Sequence, residues 1–318
     1  MQFGRIILGV MLAGAIAGGW TAMGADGVKK HKPAHAAAAT DNDPNLWLSD
    51  IHGAKPAGWA KERTDKTLAT LKSDPNYQTD YDAMLKILNA QDRIAEGHLD
   101  HGDVFNFWQD ADHARGIWRK TSIADYANAN PNWDVLLDVD QLDKTEGKPW
   151  VWQGADCAPG FKRCLVRLSP GGTDASVVRE FDPNTKTFLR DGFTLPVAKS
   201  EATYLDADTI LFATDFGPGS ITKSSYPRIV KIWHRGEPIT AAKTVYEAKE
   251  DDIAARAAVF HGPYGTIALI NRGLTFFTNE YFYLMPDGST LKLPLPPGAD
   301  LKGVTDGNLI FTLRNAWT

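Results

Sequence analysis

The chain has 318 residues, of which 43% are hydrophobic and 10% aromatic, so it can bury the core of one or two domains. Its 34 basic and 39 acidic residues give a net charge of -5, and no sustained basic run follows Lys32. These numbers argue against a disordered chain and against a nucleic acid or an anionic membrane as the partner.

The first residues have the pattern of a signal peptide. Arg5 precedes an apolar run, residues 6–18, which is shorter than the roughly 20 residues that a membrane-spanning helix needs. The chain is therefore expected to be exported, to the periplasm or the medium, without stable membrane association after cleavage. An uncleaved membrane anchor is the alternative.

Two positions offer small residues for cleavage of this segment. Ala22 to Gly24 give the earlier site, and the alanines at 36–39 give a later one. We therefore predict a signal peptide over residues 1–24. A flexible linker rich in Lys, Pro and Ala follows over residues 25–42.

A helical segment is predicted over residues 43–96. Its first helix is expected over residues 55–72, and Ser73 is expected to cap a second helix that has a proline near its start. Five apolar residues of the second helix are spaced to share one face: Tyr77, Tyr81, Met84, Leu85 and Leu88.

From residue 97 onward the chain consists of short runs rich in aromatic and β-branched residues, bounded by turn residues. Residues 165–182 give two such runs joined by Pro170, Gly171 and Gly172, which predicts an antiparallel hairpin. Similar hairpins recur at residues 116–140, 228–250 and 281–296. Their spacing of roughly 50–60 residues is typical of the blades of a β-propeller.

Further strands complete these repeats. One extra strand is predicted before each hairpin, and a fourth is available in segments such as residues 191–196. Residues 307–317 resemble the start of another repeat. Residues 97–318 are therefore predicted to be mainly β and to form an incomplete propeller of about four blades plus the start of a fifth.

The two cysteines, Cys157 and Cys164, are separated by six residues that include Pro159 and Gly160, so they can face each other across a turn. In an exported protein this spacing favours a disulfide. A metal site is the weaker alternative, because two thiols supply half of a tetrahedral site and no histidine lies near them in the sequence.

Catalytic signatures are missing from the sequence. It has no G-x-S-x-G, H-E-x-x-H or phosphate-binding glycine motif, so no catalytic, cofactor-binding or metal-binding residue is assigned. His98, Asp100, His101 and Asp103 have spacing suitable for a metal but are interpreted as a solvated turn. The acidic run at residues 250–252 is interpreted as a solvated loop, and the tryptophans of the strands as blade core.

Two segments resemble the prolyl oligopeptidase family of serine peptidases. In DPNLWLSDIHG, residues 43–53, six residues match the family's N-terminal signature, whereas Asn45 and Ser49 depart from it: Asp43, Pro44, Trp47, Leu48, Asp50 and Gly53. GDVFNFWQDADHARGIWRKTSIADY, residues 102–126, resembles the first blade of that family. The resemblance extends over about residues 43–318.

In that family a seven-bladed propeller covers an α/β-hydrolase domain and restricts access to short peptides. The resemblance implies that this chain is the N-terminal and propeller portion of an exported serine peptidase. The Ser-Asp-His triad and the hydrolase domain are then expected outside these residues, and the chain is expected to be inactive alone. The alternative is a stand-alone propeller that binds peptides or proteins without catalysis.

Overall fold

The computed structural model describes residues 43–50, 53–90, 92–100 and 102–317, and it divides them into two compact units on either side of residue 91. The predicted signal peptide and linker, residues 1–42, lie outside the described residues. Among the described residues, no helix is long and apolar enough to cross a membrane.

The first unit is helical, as its apolar spacing predicts. A 3₁₀ turn, Leu46–Ser49, precedes α1 (Ala54–Lys72) and α2 (Tyr77–Leu88). The predicted role of Ser73 was wrong: its amide donates to the Ala69 carbonyl at 3.1 Å and ends α1, and α2 begins after Asn76. Neither helix contains a buried residue.

The second unit, from residue 92 onward, is built of antiparallel sheets in chain order. The first sheet contains β1 (His98–Asp100), β2 (Asp103–Trp108), β3 (Ile117–Ser122) and β4 (Asp134–Asp138). The second contains β5 (Trp150–Cys157), β6 (Cys164–Pro170), β7 (Ser176–Asp182), β8 (Thr187–Phe188) and β9 (Thr194–Ala198). Two short helices, α3 (Ile123–Tyr126) and α4 (Val139–Glu146), flank β4.

The later sheets repeat this pattern. The third contains β10 (Glu201–Asp206), β11 (Thr209–Ala213), β12 (Ile229–His234) and β13 (Lys243–Glu247). The fourth contains β14 (Ala254–Gly262), β15 (Gly265–Thr275), β16 (Thr278–Leu284) and β17 (Thr290–Lys292). A final pair consists of β18 (Asp300–Thr305) and β19 (Asn308–Thr312). The prediction of four propeller blades and the start of a fifth is confirmed.

The core lies between the blades, because the middle strands are apolar on both faces. All five residues of β11 are buried, which is expected for a strand covered by neighbouring sheets on both sides. Blades 1 and 2 share a cluster that contains Trp118, Trp150 and Phe181. Blades 2 and 3 share another, around Tyr204 and Trp233. The sequence correctly placed these three tryptophans in the blade core.

Candidate functional site in the propeller channel

The first strands of successive blades lie next to one another, since β10 contacts both β5 and β14. A cavity of about 630 Å³ opens between the ends of these strands and β1. Its polar lining comes from all four blades: Asp100, Asp156, Thr203 and His261. We call it the Asp156 cavity, and we call the space between the four first strands the channel.

Asp156, the second-last residue of β5, is the partly buried carboxylate of this cavity. It accepts hydrogen bonds from the Thr203 hydroxyl at 3.1 Å and from the Tyr204 amide at 3.4 Å. Burial raises the pKa of Asp156, and these two hydrogen bonds, with the more distant charges of Arg167 and His261, only partly oppose that effect. The surroundings of Asp156 therefore stabilise its ionised carboxylate less than water does.

His261 reaches from blade 4 to blade 3 beside the same cavity. Its Nε2 lies 3.0 Å from the Tyr204 carbonyl oxygen, and its Nδ1 lies 3.1 Å from the Thr266 hydroxyl. Because a carbonyl oxygen only accepts, Nε2 carries a proton in this arrangement. His261 thus ties two blades together and does not face the cavity as a free base.

A second cavity, of about 430 Å³, lies between blades 2 and 3, where residues of β5, β6 and β7 face the start of β10. Here each lining cation has a carboxylate nearby: Arg167 lies 3.7 Å from Glu201, which also lies 3.8 Å from Arg256 outside the cavity. Lys199 lies 3.6 Å from Asp174. The second cavity therefore contains pairs of opposite charge, whereas no described residue forms an ion pair with Asp156 in the first.

A third cavity, of about 300 Å³, lies between blades 1 and 2 and shares Asp100, Ala155 and Cys157 with the Asp156 cavity. Its walls are aromatic, and the Phe107 and Trp152 rings stack with their centroids 5.3 Å apart. The Asp156 cavity therefore adjoins an apolar, aromatic surface.

Cys157 and Cys164 face each other across β5 and β6 and form a disulfide that closes the turn 158–163. The turn carries Phe161, whose ring packs 4.8 Å from that of Phe105 and lines the aromatic cavity. The bond therefore fixes a wall that both cavities share.

Replacing both cysteines by serine should lower the free energy of unfolding by about 2–2.5 kcal/mol, because the unfolded chain regains the entropy of a short closed loop. Urea denaturation of the oxidised wild type and of the double variant measures this difference. Reducing agent should destabilise the wild type by a similar amount and leave the variant unchanged. Equal midpoints for the two proteins would contradict the expectation.

Glu180 on β7 is fully buried and joins blade 2 to blade 3. Both Arg235 Nη atoms donate to it at 2.7 Å, the Tyr204 hydroxyl donates at 2.7 Å, and the Phe193 amide donates at 3.0 Å. Burial raises the pKa of Glu180, but these hydrogen bonds outweigh burial and hold the pKa below its usual value. Because donors from blade 3 and from its own blade bind this buried carboxylate, Glu180 holds blades 2 and 3 together.

Comparison with known proteins identifies this architecture. Residues 27–285 match the model of the prolyl oligopeptidase N-terminal β-propeller domain. The chain belongs to the prolyl oligopeptidase family. This finding confirms the resemblance drawn from the sequence.

Named relatives extend this comparison. An uncharacterized peptidase of Sinorhizobium fredii is 38% identical over 284 residues, and the match covers 87% of this chain and 39% of that protein. An uncharacterized peptidase of Rickettsia prowazekii is 30% identical over 302 residues, with 88% and 42% covered. The solved structure of a post-proline cleaving enzyme from Rickettsia typhi matches with a TM-score of 0.78 and 30% identity, over 85% of this chain and 41% of that one.

These comparisons leave much of each relative unmatched. The chain spans about two-fifths of the length of the curated relatives it matches. The unmatched part is where the resemblance places the hydrolase domain.

The segment that resembles the first blade of the prolyl oligopeptidase family, residues 102–126, spans β2, β3 and α3, and Asp110 lies in the turn between the two strands. The Asp110 carboxylate accepts the Trp108 indole N–H at 2.7 Å and the His113 amide at 2.8 Å. Burial raises the pKa of Asp110, but the hydrogen bonds from Trp108 and His113 more than offset this and lower it overall. The turn that contains Asp110 therefore has a structural role in the propeller.

The predicted polar turn before the first blade is partly described. His98 and Asp100 lie in β1, and Asp103 opens β2 and pairs with Lys120 at 2.7 Å, whereas His101 lies outside the described residues. In the part of the chain that the structure describes, no group of three or more His, Cys, Asp or Glu residues could hold a metal ion.

The acidic run at residues 250–252 corrects one prediction. Asp251 is exposed, but Asp252 is buried, accepts hydrogen bonds from Arg272 Nε at 2.8 Å and Nη2 at 3.0 Å, and caps the Lys249 amide. Asp252 is therefore not part of a solvated loop. The signal that sequence analysis missed is the arginine 20 residues later, which only strand pairing brings close.

The Asp252–Arg272 pair should make stability depend on pH. Burial raises the pKa of Asp252, but the Arg272 hydrogen bonds outweigh burial and lower the pKa below 3.8. The pair stabilises the fold above the unfolded-state pKa of about 3.9, and this contribution is lost as the pH falls through the lower folded-state pKa.

Replacing Asp252 by asparagine should therefore cost stability at pH 6, and the gap to the wild type should shrink as the pH approaches 3. Urea titrations of both proteins across this range measure the gap. Asp251→Asn, which alters a neighbouring exposed carboxylate, is the matched control. A gap that stays constant with pH would show that the Asp252 charge contributes nothing.

Proposed function

We propose that this propeller controls which peptides reach the hydrolase domain of an exported serine peptidase. Membership of the prolyl oligopeptidase family supports the peptidase assignment. The observation that carries the gating role is the channel, because the Asp156 cavity is lined by the first strands of all four blades rather than lying in a closed core. Short, flexible peptides fit such a passage, whereas folded proteins do not.

The helical unit supports the proposal that a further domain belongs to the functional protein. Several large apolar side chains of its helices are exposed, among them Met84 at 64% and Ile87 at 68%. Several large apolar side chains exposed on one pair of helices are typical of an interaction site. The resemblance implies that the N-terminal helices pack against the hydrolase domain, which would cover this face.

Export is supported by two features of the chain. Arg5 and the apolar residues 6–18 form the pattern of a signal peptide. The Cys157–Cys164 disulfide suits an oxidising compartment.

The first test compares the purified 318-residue chain with the native protein captured from its source by an antibody against residues 43–88. We expect the purified chain not to react with a fluorophosphonate probe, because it is proposed to lack the catalytic serine. We expect the captured protein to be labelled, to have at least twice the mass of 34.9 kDa, and to begin after a cleaved signal peptide.

Two results would overturn this function. Stoichiometric labelling of the purified chain would place the nucleophile within these residues. A captured protein at or slightly below 34.9 kDa that resists labelling would favour a stand-alone binding propeller.

A second test addresses gating in the captured protein. A series of unstructured peptides that share one cleavage sequence but differ in length should be hydrolysed more slowly as length increases. An unfolded protein cleaved as fast as the shortest peptide would contradict gating.

A further inference from the structure

The channel has an electrostatic asymmetry that points to a ligand. In the cavity between blades 2 and 3, the lining cations Arg167 and Lys199 are matched by two lining carboxylates, Glu201 and Asp174. In the Asp156 cavity, none of the described lining residues is a lysine or an arginine, although Asp156 is among them. One part of the passage is therefore balanced and the other is acidic.

Asp156 carries the unmatched charge. Its two hydrogen-bond partners, the Thr203 hydroxyl and the Tyr204 amide, are neutral, and the Tyr204 contact is long at 3.4 Å. No described residue forms an ion pair with it. Arg167 and His261 influence it only from a distance. The Arg167 guanidinium is directed to Glu201 and to the Gln153 carbonyl, and the His261 ring is directed to the Tyr204 carbonyl and the Thr266 hydroxyl. A partly buried carboxylate without a counter-ion is costly, and a bound cation would reduce that cost.

The surroundings fit a cation that carries an apolar stem. The neighbouring aromatic cavity shares Ala155 and Cys157 with the Asp156 cavity and presents the Phe161 and Trp152 rings. Long basic side chains place their methylene groups on apolar surface and their charge at a polar group, and cations are attracted to aromatic faces. A volume of about 630 Å³ is large enough for one peptide side chain and adjoining backbone.

We propose that the Asp156 cavity binds a cationic group of the peptide in transit, either a lysine or arginine side chain or the free N-terminal ammonium. This inference rests on the proposed function, since it names the peptides that the channel favours. The contact is made in the propeller and thus selects peptides before they reach any hydrolytic centre. Asp156 supplies the charge, and Thr203 and Tyr204 hold the carboxylate in place.

The test measures peptide binding to the purified full chain by fluorescence anisotropy at pH 7.5. Three seven-residue peptides carry a neutral C-terminal fluorophore: one is acetylated with a central lysine, one has a free N-terminus with a central norleucine, and one is acetylated with norleucine. We expect at least one of the first two to bind about ten-fold or more tightly than the third. Tight binding of the lysine peptide would show that the cavity recognises a side chain. Tight binding of the peptide with a free N-terminus would show that it recognises the terminal ammonium.

The Asp156→Asn variant should lose this preference and bind all three peptides with affinities within about two-fold. Asp251→Asn removes an exposed carboxylate outside the cavity and should retain the preference. If Asp156→Asn does not fold, as judged by circular dichroism, Pro159→Lys places a cation on an exposed lining residue instead. That variant should weaken cationic peptides selectively and leave the neutral peptide unchanged.

Three outcomes would overturn the inference. They are equal binding of cationic and neutral peptides to the wild type, an unchanged preference in Asp156→Asn, and no binding of any peptide at millimolar concentration. None of them decides the proposed function, because the mass, labelling and length-series measurements on the captured protein test it separately. Failure of those measurements together with a cation preference here would favour a stand-alone peptide-binding propeller.

Discussion

Replacing Glu180 by glutamine should lower the free energy of unfolding by about 3–5 kcal/mol. Glu180 is fully buried and receives both Arg235 Nη atoms at 2.7 Å. The neutral amide would therefore leave the guanidinium with only the exposed Asp208, 2.8 Å from its Nε, as a counter-charge. The amide nitrogen of glutamine would also replace one of the two acceptor oxygens, and would face the donor of either Tyr204 or Phe193. Urea denaturation followed by tryptophan fluorescence reports the change.

Two controls distinguish the effect of breaking the buried Glu180–Arg235 pair from the effect of removing any charged side chain. Lys223→Ala breaks an exposed ion pair with Asp251 and should leave the free energy of unfolding nearly unchanged, because solvent screens this pair. Replacing both Glu180 and Arg235 by methionine should recover most of the lost stability, because two apolar side chains avoid an unpaired buried charge. A loss below about 1 kcal/mol for Glu180→Gln would mean that the pair does not hold the blades together.

The repeats of the propeller could be predicted from the sequence because each blade is a local structure. Hairpins such as β6–β7 are joined by Gly171 and Gly172, and their apolar runs are short and regular. The contacts between blades could not be predicted in the same way. Glu180 and Arg235 are 55 residues apart, and nothing in the strand pattern relates them.

The residues that meet in the channel could not be predicted from the sequence either. Asp156, Thr203 and His261 come from three blades, and each sits in an ordinary strand with no motif around it. Only the packing of successive blades against one another brings them together. The disulfide was within reach of sequence analysis because its two cysteines are seven positions apart and face each other across one turn.

The glycine of the first-blade motif shows how a local signature can carry a packing requirement. Gly116 has a φ of 98°, and a Cβ at this position would lie 2.4 Å from the Phe107 ring. Both the backbone conformation and the space therefore exclude a side chain. The amide of Gly116 also donates to Asp140 at 3.1 Å, which fixes the turn against α4.

Gly116→Ala should therefore lower the free energy of unfolding by about 2–5 kcal/mol. Backbone strain at positive φ contributes about 1–2 kcal/mol, and displacement of the Phe107 ring contributes about 1–3 kcal/mol. The measurement is again urea denaturation, with near-ultraviolet circular dichroism to report the aromatic cluster of Phe107 and Trp152.

Gly217→Ala is the matched control, because Gly217 has a nearly equal φ of 102° but no atom within 4 Å of the added Cβ. It should cost only the strain contribution, about 1–2 kcal/mol, and should leave the aromatic spectrum unchanged. The difference between the two variants then measures the cost of crowding the ring. If both variants lose the same stability, backbone conformation alone explains the glycine, and the close approach of Phe107 to Gly116 plays no part in holding blade 1 against blade 2.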